Sequence, residues 1–198
     1  MLGRIDFGTL DASGHVPCST NKGLIVAIDA TTDKVIDLNG DVEGEAAELS
    51  LSNPTSVSLA ADGSLVVLAD GCYVGSALKN AGVEVVDATT GMSQVVYASK
   101  TSDFLDKLIL TGPSDALLGT FDSSFMAHWY KLDLTAGKLG VELTGIPDAV
   151  SFDGTNLLGV DATGAVVSYD IASGKSTAVS KTTWAGKYTS TASTALVK

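Results

Sequence analysis

Four times along this chain an apolar stretch runs into the same acidic turn. Residues 24–33 read LIVAIDATTD, 83–91 read VEVVDATTG, 129–137 read WYKLDLTAG and 165–174 read AVVSYDIASG. The turn aspartate recurs as Asp29, Asp87, Asp133 and Asp170, at spacings of 58, 46 and 37 residues, and a β-rich segment follows each time. A period of roughly 35–60 residues built from short strands is the signature of propeller blades. The chain is therefore expected to be all-β, a β-propeller of four-stranded antiparallel blades, with about four blades present. The aspartates themselves read as structural, because an Asp opening a turn accepts a hydrogen bond from the N–H two residues on.

The second repeat parses most simply. Asn53-Pro54 opens it, and the proline sets a turn before TSVSLA, where Val57 and Leu59 alternate with Ser56 and Ser58. Ala61-Asp62-Gly63 is a tight-turn signal, followed by the almost wholly apolar run SLVVLAD. The long loop GCYVGSALKNAG precedes VEVVD, and ATTG leads into SQVVYA. Blade 3 reads as KLILTG, DALLGTF, MAHWYKLD and GKLGVEL, and blade 4 as DAVSF, NLLGVD, AVVSYD and KSTAVS. The expected blades cover 1–52, 53–100, 101–146 and 147–181 of a single domain, with GRIDFG as an early strand and 182–198 supplying a strand that closes the ring. Three arrangements compete: a compact four-bladed ring, half of an eight-bladed ring completed by a second copy, and part of a larger propeller. The abrupt start within a blade favours the third.

Composition narrows the partners. A net charge of −11 disfavours nucleic acid and an anionic membrane surface, since both repel it. No apolar run approaches the roughly 20 residues needed for a helical membrane span, and no leader pattern precedes the first strand. Abundant Thr, Ser, Gly and Ala with few lysines favour an exported bacterial protein.

The strings NPTSVSLAADGSLVVLADG, GVEVVDATTG and GLIVAIDATTDKVIDL resemble the YVTN-type β-propeller repeats of bacterial and archaeal surface proteins. The loop GCYVGSALKNAGVEVVD is similar to propeller lipoproteins of deltaproteobacteria. The Tyr-Val-Thr-Asn string is itself absent, with LVVLADG at 65–71 in its place. The resemblance implies a secreted or cell-surface module that binds other protein chains, copies of itself included.

Individual residues offer few sites. Cys18 and Cys72 fall in corresponding loops of blades 1 and 2, so they either form a disulfide, which implies an oxidising compartment, or remain two unrelated thiols. His15 with Cys18 gives an H-x-x-C string, but a structural zinc site needs four ligands, and His128 lies in a strand where a neighbour or water satisfies its ring. Asp41, Glu43 and Glu45 present oxygen ligands suited to calcium without the helix-loop-helix calcium pattern, which favours a solvated loop joining two blades. Trp129, Tyr130 and Trp184 fill wedges between blades or form a binding patch. No nucleophile elbow, phosphate loop or zincin helix occurs, and Arg4 with two histidines leaves little to gather round a channel. The leading expectation is thus a noncatalytic surface module, not an enzyme, without catalytic, cofactor-binding or metal-ligating residues, which binds partners through the loops 9–23 and 71–82. The alternatives are a channel-centred hydrolase or lactonase with a divalent metal, and a subunit that folds only with partners.

Overall fold

The computed structural model describes residues 2–3, 12, 14, 17–18, 23–38, 46–74, 76–161 and 163–179. These residues form four antiparallel four-stranded sheets in chain order and one small hairpin. Sheet 1 contains β1 (Leu2–Gly3), β2 (Leu24–Asp29), β3 (Lys34–Ile36) and β4 (Ala47–Glu48). In sheet 2, β5 (Pro54–Leu59) and β6 (Leu65–Ala69) are followed by the inserted hairpin β7 (Cys72–Val74) and β8 (Ala77–Lys79). The sheet then resumes with β9 (Gly82–Val86) and β10 (Ser93–Ala98). Sheet 3 is the meander β11 (Phe104–Leu110), β12 (Asp115–Phe121), β13 (Ala127–Asp133) and β14 (Lys138–Leu143). Sheet 4 repeats it with β15 (Asp148–Phe152), β16 (Asn156–Val160), β17 (Val166–Asp170) and β18 (Lys175–Ala178).

The recurring aspartates occupy one structural position, the hairpin between the third and fourth strands. Asp29, Asp87, Asp133 and Asp170 each accept through Oδ1 from the N–H two residues on, at 2.7–2.9 Å. Their carbonyls accept from the N–H four residues on, at 2.8–2.9 Å. That fourth residue is left-handed in all four turns: Asp33 at φ 55°, and Gly91, Gly137 and Gly174 at φ 63–68°. The amides of the turn hold the carboxylates of Asp29, Asp87 and Asp170 below the ordinary range.

Packing follows the period of two along each strand. In β6, Val66 and Leu68 face sheet 3, while Leu65 and Val67 face sheet 1. In β12, Ala116 and Leu118 face sheet 2, and Leu117 joins Leu157 and Tyr169 of sheet 4. The middle sheets are thus buried on both faces, and β6 is buried at every residue. The end sheets are covered on one face only: β16 and β17 alternate buried with partly exposed positions, β2 buries Ile25 alone, and β3 is exposed throughout. Between sheets, the first strands approach one another, β1 against β5 and β5 against β11. Four sheets follow one another face to face, the first three converging at their first strands.

Several expectations change. Residues 71–82, read as a loop, contain the β7–β8 hairpin, whose three-residue strands are too short to stand out in the sequence. Pro54 lies inside β5, where an edge strand's first residue has no ladder bond to lose. The acidic segment does not merely join two sheets. Ile25 pairs with Gly3 on one edge and Ala47 on the other, so Ala47–Glu48 returns to sheet 1 as part of its outer edge. Arg4, His15, Asp41, Glu43, Glu45, Trp184 and the proposed closing strand in 182–198 lie outside the described residues, as does most of GRIDFG.

Candidate active site

Asp70, Asp122 and Asp161 each follow the second strand of a sheet, and their surroundings differ sharply. Asp122 Oδ1 accepts from the amides of Ser124 and Met126, at 2.8 and 2.9 Å. Asp161 Oδ1 accepts from those of Thr163 and Ala165, at 2.8 and 3.0 Å. The Asp122 carboxylate is held low chiefly by the Met126 amide, and that of Asp161 by the Thr163 hydroxyl. At Asp70 the short turn is replaced by the β7–β8 hairpin. Its carboxylate caps no turn and accepts instead from the Thr55 hydroxyl, at 3.2 Å. Burial pushes the Asp70 carboxyl up to about 6, opposed by the Thr55 bond and reinforced by the nearby charge of Asp106.

Both neighbours owe their position to irregular strands. The register of β5 shifts between Pro54 and Ser56, leaving Thr55 unpaired, and that of β11 shifts between Leu105 and Lys107, leaving Asp106 unpaired. A bulge re-aims the extra side chain, which is why bulges gather beside active sites. Thr55 and Asp106 are therefore matching bulge residues on the converging first strands of sheets 2 and 3, with Asp70 between them. Tyr73 is the third neighbour: its hydroxyl is pushed up by burial and by the charge of Asp70, and its ring lies 6.5 Å from that of Phe104.

The backbone around Asp70 is unusually constrained. The Asp70 amide donates to Asn53 O and the Gly71 amide to Ser52 O, at 3.0 and 2.9 Å. The Asn53 side-chain amide also donates to Gly71 O. Asn53, Gly71 and Asn80 all have positive φ, at 55°, 79° and 54°. A Cβ on Gly71 would sit 2.4 Å from Lys79 O and 2.8 Å from Ala81 Cβ. Glycine and asparagine enter the left-handed region most readily, so these three positions fix the course of the chain around Asp70.

Cys18 and Cys72 are joined by a disulfide, with Cα atoms 4.8 Å apart. The Cys18 amide donates to Tyr73 O at 3.0 Å, and Pro17 bridges Tyr73, so the loop of sheet 1 ties down the hairpin of sheet 2. His128 is remote from this chemistry. Its Nδ1 lies 2.8 Å from Glu142 Oε1 and its Nε2 3.5 Å from Asp122 Oδ2, and these bonds, Glu142 first, raise its pKa. Trp129 fills the wedge between sheets 3 and 4, its ring 3.2 Å from where a Gly119 Cβ would stand. Asp70, Thr55 and Asp106 were not singled out by the sequence reading. Aligning the three second-strand ends would have found Asp70, because it alone is followed by an eleven-residue detour before the next strand of its sheet.

No family model matches the chain, and no curated protein matches it. Among solved structures it is similar to an oligogalacturonate lyase in complex with manganese. The TM-score is 0.53 at 10% identity, over 80% of this chain and 42% of that one. A puromycin hydrolase S511A mutant complexed with PGG aligns at TM-score 0.43 and 19% identity, over 65% of this chain and 20% of that one. The chain thus spans less than half the length of either structure. The likeness to the lyase is one of fold. It overturns the ground for expecting a noncatalytic module, since the fold this chain resembles is that of a lyase. The physical reason is that sites assembled from single side chains on several sheets leave no contiguous motif to find.

The manganese of that lyase prompts a test of fit. Among the described residues, no group of three or more His, Cys, Asp and Glu side chains is arranged to hold a metal ion. Asp70 and Asp106 supply two carboxylates only, so no chemical step is assigned to a metal here. Also among the described residues, no helix is long and apolar enough to cross a membrane.

Proposed function

We propose that the four sheets are consecutive blades of a β-propeller enzyme of the hydrolase or lyase class, with Asp70 as its proton-transferring group. The observation that carries this reading is the Asp70 carboxyl, released from turn capping and set between two bulge residues. A group with a pKa of about 6 accepts protons well near neutrality and returns them readily, the property general acid–base catalysis requires. Thr55 orients the carboxyl, Asp106 keeps its proton affinity high, and Tyr73 supplies a ring face and a hydroxyl beside it. Two carboxylates and a chain of net charge −11 repel a polyanion, so a neutral or cationic substrate suits the site better than an oligogalacturonate.

The end sheets support the larger ring. Leu24, Val26 and Ile28 lie on the outward face of sheet 1, and Leu158, Val160 and Val166 on that of sheet 4; all remain partly exposed. Further blades would bury these faces as sheets 2 and 3 are buried. The disulfide favours an oxidising, secreted or cell-surface setting.

The test is turnover of a panel of neutral glycosides, esters, lactones and amides by the chain and its Asp70→Asn variant. The expected profile inflects near pH 6, and the variant falls by about 10²–10⁴-fold. Turnover unchanged in the variant, or none with any substrate class, rejects the reading. Light scattering tests completion of the ring by a second copy, which predicts a dimer.

A further inference from the structure

We propose that the disulfide-tethered segment Gly71–Ala81 is a positioning device for Asp70, holding its carboxyl out of the turn and against Thr55 and Asp106. This rests on the reading of Asp70 as the proton-transferring group, but its own evidence is a comparison within the molecule. Three aspartates stand at the same place after a second strand. In sheets 3 and 4 the aspartate's amide closes the hairpin, Asp122 N to Met126 O and Asp161 N to Ala165 O, at 3.1 and 2.9 Å. The short turn then presents further amides to the carboxylate, and the side chain is consumed in capping.

In sheet 2 the same amide points elsewhere. Asp70 N donates to Asn53 O, Gly71 N to Ser52 O and Ser52 N to Asn80 O. The chain after Asp70 therefore runs beside the 52–53 segment, and among the described residues that follow no amide reaches the carboxylate. Three features keep it on that course. Gly71 takes a left-handed conformation in a space that excludes a Cβ. Cys72, buried, is bonded to Cys18 of the neighbouring sheet. Tyr73 is pinned through its carbonyl by the Cys18 amide and lies with its ring towards Phe104. The charged and titratable groups facing Asp70 from the elements around it are Asp106 on β11 and Tyr73 on β7, with the Thr55 hydroxyl on β5.

The experiment is a carbon-detected NMR titration of the aspartate side-chain carboxyls in the whole chain, which needs no substrate. The first variant replaces residues 71–81 with Ser-Ser-Phe-Met, the residues that follow Asp122. The second is the paired Cys18→Ser, Cys72→Ser change. The expected Asp70 midpoint in the unaltered protein is about 6. In the turn replacement its midpoint falls below the ordinary 3.8, as for the turn-capping Asp122 and Asp161. Asp122 and Asp161 keep their midpoints and serve as controls, because general loosening of the fold would move them too. An Asp70 midpoint that stays near 6 in the replacement overturns the proposal. Should the replacement fail to fold, the paired serine variant decides: a fall of half a unit or more supports positioning, and no change overturns it. The two readings fail separately. Lost turnover with an unmoved midpoint sinks positioning alone, whereas a moved midpoint with full turnover sinks the catalytic role of Asp70 alone.

Discussion

Glu84 offers the sharpest test of how the fold holds its site. It lies on β9 with no solvent exposure. Its Oε1 accepts from Ser50 N at 2.9 Å and from the Ser93 hydroxyl at 2.6 Å, and its Oε2 from Ser50 N and Leu51 N, each at 3.0 Å. One carboxylate thus ties the connection between sheets 1 and 2 to the third and fourth strands of sheet 2. The residues just beyond that connection, Ser52 and Asn53, receive the amides of Gly71 and Asp70. Glu84→Gln keeps the shape and one acceptor oxygen, which can serve Ser50 and Leu51, while the Ser93 hydroxyl turns to accept from the new amide. Only the charge assistance is lost, about 1–2 kcal/mol. Glu84→Leu fills the space but strands the buried Leu51 N–H and the part-buried Ser50 N–H, at about 1–3 kcal/mol each, for a total of about 4 kcal/mol. For a chain of this size the Leu variant should melt roughly 10 °C lower, and the Gln variant only a few degrees lower. Urea unfolding followed by tryptophan fluorescence, with calorimetry, gives both values. A Leu variant as stable as the parent would show that the two amides find other partners and that the carboxylate is no anchor.

Other consequences can be checked alongside. The Asp70 carboxyl binds its proton more tightly in the folded chain than at its ordinary value of 3.8. The folded state therefore holds the extra proton between about pH 4 and 6, and stability falls as pH rises through that window. Asp70→Asn should stabilise the fold at pH 7 by on the order of 2 kcal/mol after allowance for solvent screening, and by almost nothing at pH 3.5. Equal gains at both pH values would count against a raised pKa. The amide-capped Asp29, Asp87 and Asp170 work in the opposite sense, their contribution being lost as pH drops below about 4. Gly71→Ala forces a left-handed alanine against Lys79 O and should both destabilise the chain and lower the Asp70 midpoint; a neutral outcome would mean the hairpin yields freely. Trp129→Ala should cost about 3–5 kcal/mol by emptying the wedge between sheets 3 and 4, and a loss under 1 kcal/mol in denaturant melts would contradict its packing role. Reducing the disulfide should cost up to about 4 kcal/mol, the chain-entropy value for a loop of this length, read as a lower urea midpoint with dithiol present.

Most of the sheets and their turns are legible in the residues alone. Alternating apolar strands and Asp-headed turns are local signals: a carboxylate two residues from an amide and a left-handed fourth residue need no distant partner. That is why DALLGTF, SQVVYA and DAVSF coincide with strands to the residue, and why Asp29, Asp87, Asp133 and Asp170 do what their spacing implied. The pairing of Cys18 with Cys72 was half visible, as two thiols in corresponding loops. Which acidic side chain becomes chemically distinct depends on contacts between sheets. Asp70, Asp122 and Asp161 look alike along the chain, each ending an apolar run. What separates them is desolvation of Asp70, two bulges that set Thr55 and Asp106 beside it, and a hairpin tied to the preceding sheet. Glu84 escaped notice for the same reason, because its partners lie 33 and 34 residues away. Desolvation and long-range contacts create those properties, and neither is written in any short run of residues.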